Sequence, residues 1–144
     1  MKTISVESLS LSYEDRIVVK GLNLSFARPE IISIIGPNGS GKSTILKSIG
    51  RLLRPHEGLV TLNGKDIHTL PTRIVAREIS ILPQSPQSPE DITVKDLVLF
   101  GRIPYKSFFG NNGDEDAKII NWALKETGME DFAFRPVHTL SGGE

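Results

Sequence analysis

Gly36-Pro37-Asn38-Gly39-Ser40-Gly41-Lys42-Ser43-Thr44 is the stretch around which this chain is arranged. It carries a glycine, four free positions and then Gly-Lys-Ser, and it follows the apolar run Ile31 to Ile35 directly. A buried strand is therefore expected to run into a tight loop that opens a helix. Triphosphate oxygens are best met by several backbone N–H groups converging on one concavity, and a chain curls that tightly only where side chains are absent, here at Gly36, Gly39 and Gly41. Asn38 and Ser40 complete the bend. The spacing predicts a helix from Lys42 to about Leu53, with Ile45, Leu46 and Ile49 on one stripe, whose positive end faces the same concavity. Lys42 adds a mobile full charge. Ser43 offers a hydroxyl of the kind that completes a Mg²⁺ shell, and Thr44 is a second hydroxyl at the helix start.

The chain has 144 residues, enough for one domain or part of one. Its 17 basic and 17 acidic residues cancel, which gives no electrostatic reason to propose nucleic acid or an anionic membrane surface as the main partner. Cysteine is absent, so disulfides and thiolate metal sites are excluded. Met1-Lys2-Thr3 leads straight into an alternating segment, so no secretory leader is expected, and no run is long enough to cross a bilayer. His56, His68 and His138 are too scattered to argue for a metal site.

Thr3 to Ser12 and Ile17 to Phe26 alternate between apolar and polar residues and are expected to form a hairpin across Tyr13-Glu14-Asp15-Arg16. That pair should lie beside a parallel strand at Ile31 to Ile35. Leu59 to Leu62 is expected as a short strand turned by Asn63-Gly64, followed by a helical turn from Pro71 to Arg77 and a strand at Ile79 to Leu82. Asp66 is expected to be solvated. Ser85 to Glu90 reads as a loop between two parts. Beyond it, Thr93 should cap a helix running to Arg102, and Asp114 to Thr127 should form a second, opened by acids and closed by Gly128. Ile119, Ile120, Ala123 and Leu124 form its expected buried stripe, and Trp122 is expected to pack. The expected organisation is a nucleotide-binding core over 1–91 and a helical subdomain over 92–144.

Three further pieces stand in order with the glycine-rich loop: Tyr13 in the first hairpin, Gln84 directly after Ile81-Leu82-Pro83, and Leu140-Ser141-Gly142-Gly143-Glu144. Together they resemble the nucleotide-binding subunit of an ATP-binding cassette transporter, over the whole chain. The Leu-Ser-Gly-Gly run is the most specific of them. The resemblance implies an α/β fold: a P-loop NTPase three-layer sandwich with an antiparallel β subdomain and an inserted helical subdomain. It also implies that Tyr13 stacks on adenine, against the plainer alternative of a turn aromatic packed on its own hairpin. Gln84 is implied to reach Mg²⁺ and the attacking water, and Ser141, Gly142 and Gly143 to grip the nucleotide of a second subunit. Glu144 departs from the family pattern, which has glutamine there.

Gly101-Arg102-Ile103-Pro104-Tyr105, followed by an acidic second helix, is similar to the ATPases of importers for iron siderophores, haem and cobalamin. Tyr105, Phe108 and Phe109 either cover a docking surface or fill the core of the helical part. The resemblance thus implies hydrolysis of ATP with Mg²⁺, a second ATP-binding subunit as partner in a homodimer, transmembrane permease subunits, and a peripheral place on the cytoplasmic face of the cell membrane, with no nucleic acid. A soluble cassette protein of translation or DNA repair, and a non-catalytic nucleotide-binding module, are the other readings. The family's Asp-Glu pair after an apolar strand and its later switch histidine have no counterpart here. The C-terminal part of the core is therefore expected to be missing, and the chain alone to bind ATP weakly and to be inactive.

Overall fold

The structure, a computed structural model, describes residues 3–14, 16–83, 89, 91–106, 113–141 and 143. Two compact units divide at Ile81 and Leu82, so the second begins upstream of the Ser85 to Glu90 loop, nearly all of which lies outside the described residues.

In the first unit the alternating segments do form a hairpin, β1 (Ile4–Tyr13) and β2 (Arg16–Phe26), paired antiparallel from Ile4 with Phe26 to Tyr13 with Arg16. Helix α1 (Lys42–Ile49) follows the glycine-rich loop. Next come β3 (Glu57–Leu62), which pairs antiparallel with the other edge of β1, and β4 (Lys65–Asp66), joined to β3 through Asn63-Gly64. The result is one antiparallel sheet of order β2-β1-β3-β4. Helix α2 (Thr72–Glu78) completes the unit.

The register of this sheet depends on an irregularity in β1. Ser8 adopts φ 46°, the pairing slips between Glu7 and Ser10, and the Ser8 amide donates to Asn23 Oδ1 at 2.9 Å. Gly58 sits opposite. A Cβ there would lie 2.3 Å from the Glu7 carbonyl oxygen and 2.4 Å from that of Ser8, so two backbones approach as only glycine permits. Val6, Leu9, Leu11, Val60, Ile67 and Val75 form the core, covered by Ile45 and Ile49 of α1.

Three expectations need correcting here. Ile31 to Ile35 and Ile79 to Leu82 lie in no ladder among the described residues, and Ile31 is fully exposed at 100%. A strand exists through its neighbours, and the hairpin that was to flank Ile31 to Ile35 spends both edges of β1 on β2 and β3. Helix α1 stops at Ile49, with Gly50 as its C-cap and Arg51 at φ 64°, rather than near Leu53. Its buried positions are Thr44 and Ser48 beside the packed Ile45 and Ile49, while Leu46 is exposed, because the stripe that faces the sheet is one position over.

In the second unit, α3 (Val94–Phe100) begins with a reciprocal cap: the Asp96 amide donates to Thr93 Oγ1 at 3.2 Å, and the Thr93 amide donates to Asp96 Oδ2 at 3.2 Å. Helix α4 (Gly113–Glu126) buries Asp116, Ile120 and Leu124. Residues 133–137 return along the start of α3, with the Val94 amide bonded to the Arg135 carbonyl at 3.1 Å and the Lys95 amide to Ala133 at 2.8 Å. Val94, Ile120, Leu124 and Ala133 make the core. Trp122 points away from it and is 62% exposed, contrary to the expected packing, because the buried stripe follows 116, 120 and 124.

Candidate functional site

The glycine-rich loop is curled rather than extended. Gly41, at φ 92° and ψ 4°, is the left-handed N-cap that swings the chain from the bend into α1, and the first helical bond runs from the Ile45 amide to its carbonyl at 2.9 Å. A Cβ on Gly41 would meet Val19 Cγ2 at 2.8 Å and Val18 Cγ1 at 3.1 Å, so β2 presses on the loop from behind. Lys42 folds back over the bend, its Nζ donating to the carbonyls of Gly36 and Pro37 at 2.8 Å each. The Ser40 amide closes a turn onto Pro37 at 3.3 Å. Among the described residues, the amides of residues 41–44 donate to no other group.

Those amides, the start of the α1 dipole and the Lys42 ammonium converge on one open rim. Ser43 is exposed there, whereas Thr44 is buried against the sheet side of the helix. Gly36, Asn38, Gly39 and Ser40 form the exposed lip. The chemistry on offer is that of an anion nest with one adjustable cation and one accessible hydroxyl.

Tyr13 ends β1 opposite Arg16 and is 46% exposed, so it is not consumed by packing on its own hairpin. Val19, which touches Gly41, pairs with Leu11, two residues before Tyr13. The hairpin end is thus held roughly 7 Å along the strand from the loop contact.

Gln84, Gly142, Glu144, Phe108 and Phe109 lie outside the described residues. Ser141 and Gly143 belong to the second unit, both exposed, and a Cβ at Gly143 would meet nothing within 4 Å.

The structure adds an arrangement that the sequence reading missed. Arg102 Nε donates to Asp116 Oδ1 at 2.6 Å with side chains only 12% and 11% exposed, and the same guanidinium lies 4.5 Å from the centre of the Tyr105 ring. The Gly-Arg-Ile-Pro-Tyr run is therefore tied to α4 by a buried ion pair. One signal was available, since Asp116 occupies the 116, 120, 124 stripe where an apolar residue is expected. Tyr105 is neither core nor free surface, being part exposed and faced by Arg102. Asp66 likewise proves half-buried, its Oδ1 accepting from the His68 amide at 2.8 Å, because the exit of β4 turns back on that carboxylate.

A glycine-lined loop opening a helix beside an antiparallel sheet defines a phosphate-loop nucleotide-binding protein of the α/β class. The ABC transporter family profile matches residues 19–144, and the chain belongs to that family. It is 50% identical over 144 residues to the iron(3+)-hydroxamate import ATP-binding protein FhuC of Bacillus subtilis, an alignment that covers 100% of this chain and 54% of that protein. With the ferric enterobactin transport ATP-binding protein FepC of Escherichia coli the identity is 39% over 138 residues, covering 96% and 51%. Among solved structures, a dimeric ATP-binding cassette in a post-hydrolysis state bound to ADP and phosphate superposes with a TM-score of 0.82 at 30% identity, covering 97% of this chain and 64% of that one. The chain thus spans about half the length of the curated relatives it matches. Within that family its relatives cluster with siderophore transport subunits, as the Gly-Arg-Ile-Pro-Tyr run implied.

Proposed function

We propose that this chain carries the nucleotide-gripping half of an ATP-hydrolysing subunit that drives import of an iron complex or a similar metal chelate. The observation that carries this reading is the curled loop closed by Lys42, with the amides of residues 41–44 left unclaimed at the start of α1. In this reading the loop amides and Lys42 hold the β- and γ-phosphates of ATP. Lys42 exchanges its two carbonyl partners for phosphate oxygens, a trade of neutral acceptors for charged ones. Ser43 Oγ, exposed at the helix start, supplies a ligand to Mg²⁺. When bound, that ion would supply positive charge against the negative charge developing on the phosphates. Tyr13 offers its exposed ring to adenine, and Val18 and Val19 set the depth of the loop beneath it.

Gln84 is assigned to the Mg²⁺ shell and the attacking water, and Ser141, Gly142 and Gly143 to the nucleotide held by a second subunit. Residues 1–91 then act as the nucleotide-binding core and 92–144 as the helical subdomain. The partners are a second copy and a pair of transmembrane permease subunits, which place the protein peripherally on the cytoplasmic face of the membrane. No helix among the described residues is long and apolar enough to cross a membrane. The names of the relatives, iron(3+)-hydroxamate import and ferric enterobactin transport, support the choice of cargo class.

The test is calorimetric titration of ATP with Mg²⁺ into this chain and its Lys42→Ala variant. Loss of a charged phosphate contact should weaken binding by about tenfold or more. Equal affinity for the two proteins, or the same affinity for adenosine as for ATP, would defeat the reading. Permease co-purification and phosphate release, measured on a protein as long as the relatives, test the coupling to transport.

A further inference from the structure

We propose that the cavity between the start of β3 and the exit of β4 is a second anion site, built for a small divalent oxyanion of the sulfate or phosphate type and separate from the phosphate loop. None of its lining residues belongs to residues 36–44, and Arg54, His56, Asp66 and His68 contribute its polar wall. Its volume is about 250 Å³. That is too small for a nucleotide with its surroundings, given that pockets for drug-sized ligands run from roughly 300 to 1,000 Å³, and ample for an oxyanion with a few waters.

One buried ring nitrogen of the wall lacks a partner, His68 Nε2, and so does Arg51 Nη1, which lies outside the lining; neither has a hydrogen bond among the described residues. A buried polar atom left unpaired is costly, so a ligand that pairs with the protonated His68 Nε2 is favoured. The charges around His68 also select the sign of that ligand. Arg51 and Arg54 bear on His68 with two positive charges, against the single carboxylate of Asp66. Asp66 is itself engaged, since its Oδ1 accepts from the His68 amide at 2.8 Å and its carbonyl from Thr69 Oγ1 at 2.8 Å. No group of three or more His, Asp or Glu residues among the described ones could hold a metal ion, and the arginines oppose a cation in any case.

Burial holds the His68 imidazole below the usual histidine range, with Asp66 pulling it up and Arg54 and Arg51 pushing it further down. The ring is then neutral near neutral pH. An anion in the cavity reverses that balance, drawing a proton onto Nε2 so that the ring joins Arg54 on the wall, and Arg51 beyond it, as positive charge against the one carboxylate of Asp66. Sulfate, which has no ionisation of its own in this range, is the cleaner probe. Its affinity should rise as pH falls and its binding should take up a proton.

The experiment is a sulfate titration of the 144-residue chain at about pH 6 and about pH 8, spanning the histidine range. It is followed through the imidazole resonances of His68, with the loop amides of residues 41–44 read in the same spectra. A His56→Gln variant assigns the rings, and calorimetry in buffers of different ionisation heat counts the proton. The expected result is a saturating His68 response that is tighter at the lower pH. It should persist in Lys42→Ala and weaken by about tenfold in Arg54→Ala, as loss of a charge-assisted bond requires. Arg54 is exposed, so its truncation should leave the fold intact, and Arg54→Lys should recover part of the affinity. A His68 response that never saturates, or one abolished by Lys42→Ala and kept in Arg54→Ala, would overturn the proposal. Failure of the loop amides to respond to ATP bears on the nucleotide reading alone.

Discussion

In the sheet unit, Leu9, Leu11, Val60 and Ile67 are all at 0% exposure, and the segments that bring them together are far apart in sequence. The helical unit buries its core less deeply, between 3% for Leu124 and 6% for Ala133, and carries two polar devices: the reciprocal Thr93–Asp96 cap and the Arg102–Asp116 pair. The first unit is held mainly by apolar area removed from water across a non-local ladder. The second depends more on directional polar contacts that set where its two helices begin and meet. The glycine-rich loop belongs to the first, in which β2 braces it through Val18 and Val19.

If that contrast is right, a cavity should hurt the sheet unit more than the loss of any one polar contact hurts the helical unit. Leu9→Ala should cost about 3 to 4 kcal/mol, typical of a fully buried leucine, read by chemical denaturation with hydrogen exchange assigning the loss to β1 and β3. A cost near that of a surface change would erase the difference between the units. Asp116→Ala should cost about 2 to 3 kcal/mol, below the range for a fully buried pair because both partners keep some solvent access. Replacing the pair by Arg102→Met with Asp116→Leu should recover most of it. If the double replacement is as damaging as the single one, the pair positions the Tyr105 segment and does more than fill space.

Thr93→Ala should cost about 1 kcal/mol and loosen only the start of α3. The same variant sharpens a pH expectation. The Thr93 hydroxyl, then its amide, with a smaller push from Lys95, hold the Asp96 carboxyl below the usual aspartate range. A depressed carboxylate contributes stability above its unfolded value, lost as pH falls through the folded one, so the cap should survive neutral pH and fail only in acid. An NMR titration of Asp96 should show that low midpoint and its return toward the ordinary value in Thr93→Ala. Trp122→Ala, on the outer face of α4, should stay within about 0.5 kcal/mol. A larger loss would mean that the exposed indole packs after all.

Much of this was legible along the chain because it depends on neighbours in sequence. The hairpin at Tyr13 to Arg16, the Asn63-Gly64 turn, the Thr93 cap and the bend from Gly36 to Lys42 all express local rules for turns and helix ends. What escaped was the identity of partners. Leu59 to Leu62 reads as the same short strand whichever partner it joins, and only assembly put it on β1. Ile31 to Ile35 has the composition of a buried parallel strand, yet with both edges of β1 occupied it pairs with nothing described. Helical phase was misjudged by one position at Leu46, since a periodic pattern constrains the width of a stripe better than its direction, whereas the stripe read for α4 holds and Trp122, expected to pack, lies off it.

From the residues alone came the glycine-rich bend that opens a helix, with Lys42 and Ser43 at its start, because that pattern is written in contiguous positions and tolerates little else. From the folded chain came the brace of β2 behind Gly41, the closure of Lys42 onto the Gly36 and Pro37 carbonyls, the Arg102–Asp116 pair and the cavity beside His68. Each of these joins residues that approach one another only after strands have paired or helices have packed. No local preference specifies such a meeting, because a short-range propensity is the same whatever lies across the core.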